Sequence, residues 1–219
     1  MRPYLLLRAA ELHTQRPSGT ADDVHFTEAL AASVIEDASG PGDLVLDPFA
    51  GYGTTLAVAH RLGRQAVGVE LLDEHLAIAR ERVPDEVPLV RGDARHLTEL
   101  LVGVVTEPVD LVLTSPPYMT SVEHPENPLT GYATDDGDYA TYLDELGGVF
   151  RQVAALLRPG GRVVVNVANL AVHDHVTPLA WDVGRTVSRH LTFLGETFLC
   201  WDEHPPGLAG DYLLWFGRS

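Results

Sequence analysis

Short β-branched and aliphatic runs alternate along the chain with stretches whose apolar residues recur at helical spacing. The runs Asp43–Asp47, Gln65–Glu70, Val87–Arg91, Val109–Thr114 and Gly161–Val167 predict strands. The stretches Thr27–Ala38, Thr54–Leu62, Asp73–Arg82, Arg95–Leu101, Tyr139–Leu157 and Pro178–His190 predict helices. In Tyr139–Leu157 a stripe of Leu, Val and Phe marks the face that turns to the core. The strands are apolar along almost their whole length, the pattern of a parallel sheet covered on both faces by helices. The C-terminal stretch reads differently. Leu194–Trp201 and Tyr212–Phe216 flank the turn-rich Glu203–Gly210, which predicts an antiparallel hairpin. The expected fold is α/β, in three layers, with that hairpin at its end.

Two segments fall outside the alternation. Residues 1–23 form an N-terminal extension, with a short helix expected over Leu5–Leu12 and a polar linker over Arg16–Asp23. Residues 115–137 form a loop rich in Pro, Gly and Asp, and loops of that length in compact domains are usually functional or disordered. With 219 residues the chain is expected to form a single catalytic-size domain over 1–219. It has no apolar run long enough to span a bilayer and no signal-peptide pattern, so a cytoplasmic protein without a membrane partner is expected. The single cysteine, Cys200, excludes a disulfide framework and a cysteine zinc site, and is expected in the core. Charge complicates the picture. Fifteen basic residues, all arginine, face thirty-one acidic ones, a net charge of −16 that repels polyanions.

The candidate chemistry begins at Asp47-Pro-Phe-Ala-Gly-Tyr-Gly-Thr-Thr, a strand end, a tight turn and a helix start. Gly51 and Gly53 let the backbone turn sharply and let a ligand approach where a Cβ would stand. Carboxylates end three successive strands: Asp47, suited to an ammonium group; Glu70, suited to a ribose diol; and Asp93, suited to an adenine amino group. A rim of like charges is costly unless a ligand or solvent answers it. The loop lacks the lysine of a phosphate-binding loop, and position 56 is Leu where a dinucleotide fingerprint has glycine.

The fourth predicted strand runs into Thr114-Ser-Pro-Pro-Tyr118. Two adjacent prolines hold that turn rigid and bring no N–H groups to compete for its carbonyls. The Ser115 oxygen and the Pro116 carbonyl can accept two hydrogen bonds from a planar NH₂ group, and Tyr118 can stack on a flat ring.

Together, Asp47-Pro-Phe-Ala-Gly-Tyr-Gly-Thr-Thr, Gly68-Val-Glu70 and Thr114-Ser-Pro-Pro-Tyr118 resemble the amino-group DNA methyltransferases, which depend on S-adenosylmethionine and act on cytosine N4 or adenine N6. The Ser-Pro-Pro-Tyr form is similar to the cytosine-N4 members, and His25-Phe-Thr-Glu resembles the family's N-terminal cofactor segment. The resemblance covers about residues 24–170. It implies a Rossmann-like class I methyltransferase sheet of seven strands with a terminal antiparallel hairpin. It implies that Phe26 and Thr27 help hold the methionine end of the cofactor and that Asp47, Phe49, Gly51 and Gly53 form its main cradle. It further implies Glu70 on the ribose hydroxyls, Leu71 against adenine, Asp93 and Ala94 at the adenine edge, and Ser115, Pro116, Pro117 and Tyr118 as the catalytic turn that holds the target amine.

The chain departs from that family in one respect. No separate target-recognition domain is expected in it, and the loop after Tyr118 carries Glu123, Glu126, Asp135, Asp136 and Asp138, which disfavour a duplex backbone there. A nucleic-acid base is the expected substrate, with a partner subunit to supply target recognition. A tRNA guanine-N2 type RNA enzyme and a small-molecule amine methyltransferase are the alternatives. Glu123 and His124 can reach substrate from the loop or be solvated there. His173-Asp-His175 lacks a matching third ligand, and no metal is expected. Arg2, Arg8 and Arg16 are the densest basic stretch outside the motifs, and Arg158-Pro-Gly-Gly-Arg162 reads as a turn.

Overall fold

The structure is a computed structural model that describes residues 1–17, 26–122, 125–135, 137–203 and 205–218. Its first half holds β1 (Tyr4–Leu7), α1 (Ala9–Gln15), α2 (Glu28–Ala38), β2 (Leu44–Asp47), α3 (Thr54–Arg61), β3 (Gln65–Glu70), α4 (Asp73–Arg82), β4 (Leu89–Arg91), α5 (Leu97–Leu100) and β5 (Val109–Thr114). The second half holds α6 (Tyr139–Leu156), β6 (Leu157–Val172), β7 (His175–Thr177), α7 (Leu179–Val187), β8 (Thr192–Trp201) and β9 (Leu208–Gly217). Single 3₁₀ turns lie at Ala94–His96 and Pro128–Thr130. No helix among the described residues is long and apolar enough to cross a membrane.

The strands form one sheet in the order β1-β8-β9-β6-β5-β2-β3-β4, with the short β7 hairpinned onto β6. Pairings through the centre are parallel, and β9 runs antiparallel to both β6 and β8, as the terminal hairpin requires. Successive residues of each strand point to opposite faces, and both faces are dry. Val45, Leu111, Leu113, Val164 and Trp215 join α2 and α3 in one core cluster. Leu46, Val112, Val163, Val165 and Phe216 join α6 and α7 in the other. This explains the continuous apolar strands: no position in a sheet covered twice can be polar without a partner.

Three expectations need correction. The helix expected over Leu5–Leu12 is instead strand β1 followed by α1. The run Leu5-Leu-Leu fits either period, and parallel pairing of Tyr4–Leu7 with Phe198–Trp201 decides for the strand. Cys200 is exposed, not in the core. It lies on β8 toward the sheet edge, beside Phe198 (47 % exposed) and opposite Leu6 of β1 (74 % exposed). The turn expected over Arg158–Arg162 is taken into β6 as an irregularity in its pairing with β5. Strand β7 was not foreseen at all.

One close approach fixes the helix–sheet distance next to the site. A Cβ on Gly68 of β3 would stand 2.6 Å from Leu56 Cδ1 of α3 and 2.9 Å from Ala50 Cβ. Gly68→Ala should therefore lower the unfolding free energy by about 1–3 kcal/mol, the usual cost of overpacking a tight core. Chemical denaturation of the two proteins measures it; an unchanged midpoint would show that α3 can move away freely.

Candidate active site

The site is built on the carboxyl ends of β2, β3, β4 and β5, where an open parallel sheet presents its loops. β2 ends at Asp47, which is 2 % exposed. Its Oδ2 accepts from the Thr55 hydroxyl at 2.7 Å, and its Oδ1 accepts from the Thr114 hydroxyl at 2.6 Å and the Phe49 N–H at 3.1 Å. One carboxylate thus ties the glycine loop, the first turn of α3 and the residue preceding Ser115. Gly51 and Gly53 both take positive φ, +51° and +78°. Gly53 begins α3 and packs so closely on α4 that an added Cβ would lie 2.6 Å from Val83 Cγ2. Beside Gly51, among the described residues, only the Phe49 carbonyl comes within 4.0 Å of an added Cβ. The loop is therefore braced on one side and open on the other.

Glu70 ends β3 and is buried. Its Oε2 accepts from Gly51 N–H at 2.7 Å and its Oε1 from Leu72 N–H at 2.8 Å, with His75 Nδ1 at 3.7 Å. Burial pushes its carboxyl up from the ordinary value, against the pull of the Leu72 and Gly51 N–H groups. After β4, Asp93 accepts from the Arg95 backbone N–H at 2.9 Å and from its guanidinium at 2.7 Å. Burial alone would raise Asp93, but the Arg95 hydrogen bonds outweigh it and hold the carboxyl below its usual range. Ala94 is buried in the 3₁₀ turn behind it, and Leu71 follows Glu70 at the cleft. Phe26 packs into the α2–α3 cluster, and the fully buried Thr27 caps α2 by accepting from Leu30 N–H at 3.2 Å. His25 lies outside the described residues.

The Ser115–Tyr118 turn leaves β5 directly beside this cleft. Pro116 is buried, and Ser115, Pro117 and Tyr118 are half-buried. Ser115 Oγ lies 3.5 Å from the Tyr118 hydroxyl. Burial, reinforced by the nearby Asp211 charge, holds that phenol protonated well above its ordinary range. The Pro117 carbonyl is not free: the Tyr142 hydroxyl of α6 donates to it at 2.9 Å. Among the described residues, the Ser115 oxygen and the Pro116 carbonyl remain as acceptors at this turn.

Residues 12–81 match the family model described as DNA methylase, of the N6/N4 type. Over that segment the chain is similar to the amino-methyltransferases. A stretch of 58 residues is 45 % identical to the type II methyltransferase M.SmaI of Serratia marcescens, covering 26 % of this chain and 20 % of that one. The chain spans about a fifth of the length of the curated relatives it matches. Among solved structures, TrmN from Thermus thermophilus superposes with a TM-score of 0.63 at 23 % identity, over 89 % of this chain and 49 % of that one. The N-methyltransferase NodS of Bradyrhizobium japonicum, solved with S-adenosyl-L-homocysteine, superposes with a TM-score of 0.60 at 12 % identity over 87 % and 85 %. The fold is that of the Rossmann-like class I methyltransferases.

The amino-methyltransferase motifs name most of the residues that meet here, but not those that hold them. Thr55 and Thr114 stand inside the motifs with no distinct signal of their own. Tyr142 falls within the apolar stripe of α6 and reads as core. Of the acidic loop, Asp138 caps α6 by accepting from Thr141 N–H at 3.1 Å, and Glu123, His124 and Asp136 lie outside the described residues. His175 Nε2 is 3.0 Å from the Ser121 hydroxyl, so β7 braces the loop that leaves the turn. Arg2 pairs with Asp37, and Arg158 pairs with Asp110.

Burial raises the Asp47 carboxyl to about 6 despite its three donors. The sign follows from proton linkage. Between the unfolded value and about 6 the folded protein holds a proton that the unfolded chain has released, so stability falls as pH rises through that window and is level above it. Relative to Asp47→Asn, the wild type should lose about 2–3 kcal/mol of unfolding free energy between pH 4 and pH 7. Parallel denaturation series at several pH values measure the difference; a constant offset between the two proteins would place the Asp47 titration outside that window.

Proposed function

We propose that the chain is an S-adenosylmethionine-dependent N-methyltransferase acting on an exocyclic amino group, with cytosine N4 in DNA as the first target and adenine N6 as the second. The observation that carries this reading is the rigid Ser-Pro-Pro-Tyr turn latched through Thr114 and Asp47 to a glycine loop with the family's signature. The residues fit the cofactor. Among the described residues the space beside Gly51 is open, and Glu70, which takes the Gly51 and Leu72 N–H groups on different oxygens with the Leu71 N–H also near, is the carboxylate placed to meet ribose hydroxyls. Asp47, Phe49, Gly51 and Gly53 would hold its methionine part with Phe26 and Thr27. Leu71, Asp93 and Ala94 would take its adenine. When bound, it supplies an electrophilic methyl group.

The protein's part is positioning. Ser115 Oγ and the Pro116 carbonyl accept the two N–H bonds of the target amine and point its lone pair at the cleft. Tyr118 stacks on the ring that carries the amine. Orientation of this kind accounts for most of the rate gain in such displacements. No strong base is needed, because the nitrogen becomes acidic as it is methylated and water takes the proton. A base within a duplex must be flipped out to reach the turn.

The net charge of −16 favours a second reading, a small-molecule amine as acceptor. If the acceptor is a nucleic-acid base, a partner subunit supplies the basic recognition surface.

Isothermal calorimetry should give micromolar binding of S-adenosylmethionine or S-adenosylhomocysteine, about −8 kcal/mol. Glu70→Ala should weaken it by about 1.5–3 kcal/mol for a lost charge-assisted hydrogen bond. No binding by the wild type would sink the whole reading. Ser115→Ala and Tyr118→Ala should remove turnover while cofactor affinity stays within about three-fold, since neither residue is assigned to the cofactor. Mass spectrometry of nucleosides from DNA and RNA of a deletion strain identifies the acceptor: loss of a methylated base supports the first target class, and an unchanged base profile supports the small amine.

A further inference from the structure

Glu145 lies on α6, outside both the glycine loop and the Ser-Pro-Pro-Tyr turn, and its two carboxylate oxygens bond residues on both sides of the cleft. Oε1 accepts from Arg95 Nη1 at 2.8 Å, and Arg95 in turn grips Asp93 at 2.7 Å. Oε2 accepts from Asn127 Nδ2 at 2.7 Å. Asn127 is 3 % exposed and belongs to the loop that leaves Tyr118. A turn there needs only its Oδ1, which accepts from Leu129 N–H at 3.0 Å. The Nδ2 arm to another element is additional, and burial makes leaving it unpaired costly.

The same loop returns to the cleft a second time. Gly131, at φ +65°, sits so near the residues after Glu70 that an added Cβ would lie 2.9 Å from Leu72 Cδ2 and 3.3 Å from Leu71 Cδ2. Residues 127–131 therefore touch the adenine side of the cleft through Leu71 and Leu72, and reach Asp93 through Glu145 and Arg95. Gln152, two turns further along α6, fixes the Arg95 carbonyl from behind at 2.9 Å, so the arm cannot slide.

On the methyltransferase reading, we propose that Glu145 is a positioning residue that couples occupancy of the adenine pocket to the arrangement of the acceptor loop. A ligand seated against Leu71 and Asp93 would stiffen both anchors of residues 127–131. The loop that follows Tyr118 would then be set before the acceptor arrives.

Hydrogen exchange of the full chain, with and without S-adenosylhomocysteine, tests this. In the wild type the ligand should slow exchange of 127–131 by about tenfold as well as that of the glycine loop. Asn127→Asp keeps the Oδ1 cap and sets a second carboxylate against Glu145, so it breaks only the loop arm. Ligand protection of 127–131 should then be lost, while the glycine loop stays protected and ligand affinity stays within about two-fold. Glu145→Ala should lose the same loop protection and weaken the ligand several-fold. Loop protection that survives in Asn127→Asp, or wild-type protection confined to the glycine loop, overturns the coupling and leaves the methyltransferase reading standing. Absence of any S-adenosylhomocysteine binding to the wild type overturns that reading first and the coupling with it.

Discussion

The buried Asp47 carboxylate is the constraint on which the site depends. It is almost wholly removed from water and is compensated by two hydroxyls and one N–H from three separate segments. An anion in that position is tolerated only if every donor stays in place. The requirement works in both directions. The donors keep the carboxylate, and the carboxylate keeps β2, α3 and β5 in fixed relation, so the cofactor loop and the acceptor turn cannot drift apart. Part of the cost of its burial remains uncompensated, which is why its carboxyl titrates near 6 rather than in the ordinary range.

Glu70 repeats the device one strand over. It draws the Gly51 N–H inward at 2.7 Å and thereby fixes the curl of a loop that glycine alone would leave free. The acids at the strand ends thus differ in what they do. Asp47 and Glu70 organise backbone, whereas Asp93 is held ionised by Arg95 and stays half-exposed at the cleft.

Features whose physics is local were legible in the sequence. β3 and β5 lie at the predicted bounds, Gln65–Glu70 and Val109–Thr114, because short runs rich in valine and leucine between turn residues have no competing period. The glycine loop was legible because two positive-φ positions demand glycine. What escaped was decided by distant partners. Leu5-Leu-Leu carries no period of its own, and Cys200 could not be placed without knowing which side of β8 the helices cover. Tyr142 and Glu145 look like ordinary positions of an amphipathic helix. Only the fold shows that one supports the Pro117 carbonyl and that the other stands between Arg95 and Asn127.

The parallel pairing of β1 with β8 has a consequence in time. Its register is sealed by the Thr197 hydroxyl donating to the Arg2 carbonyl across 195 positions of chain. Contacts of such separation form late, because closing the intervening chain must precede any gain from the contact. The hairpin of β8 and β9 can assemble locally, but its outer strand stays an open template until β1 docks on it. During synthesis β1 leaves the ribosome before β8, so its pairing must wait until β8 has followed. Once β8 has formed, and until β1 docks on it, the unsealed edge with Phe198 and Leu199 on it is the place where a stray strand would add.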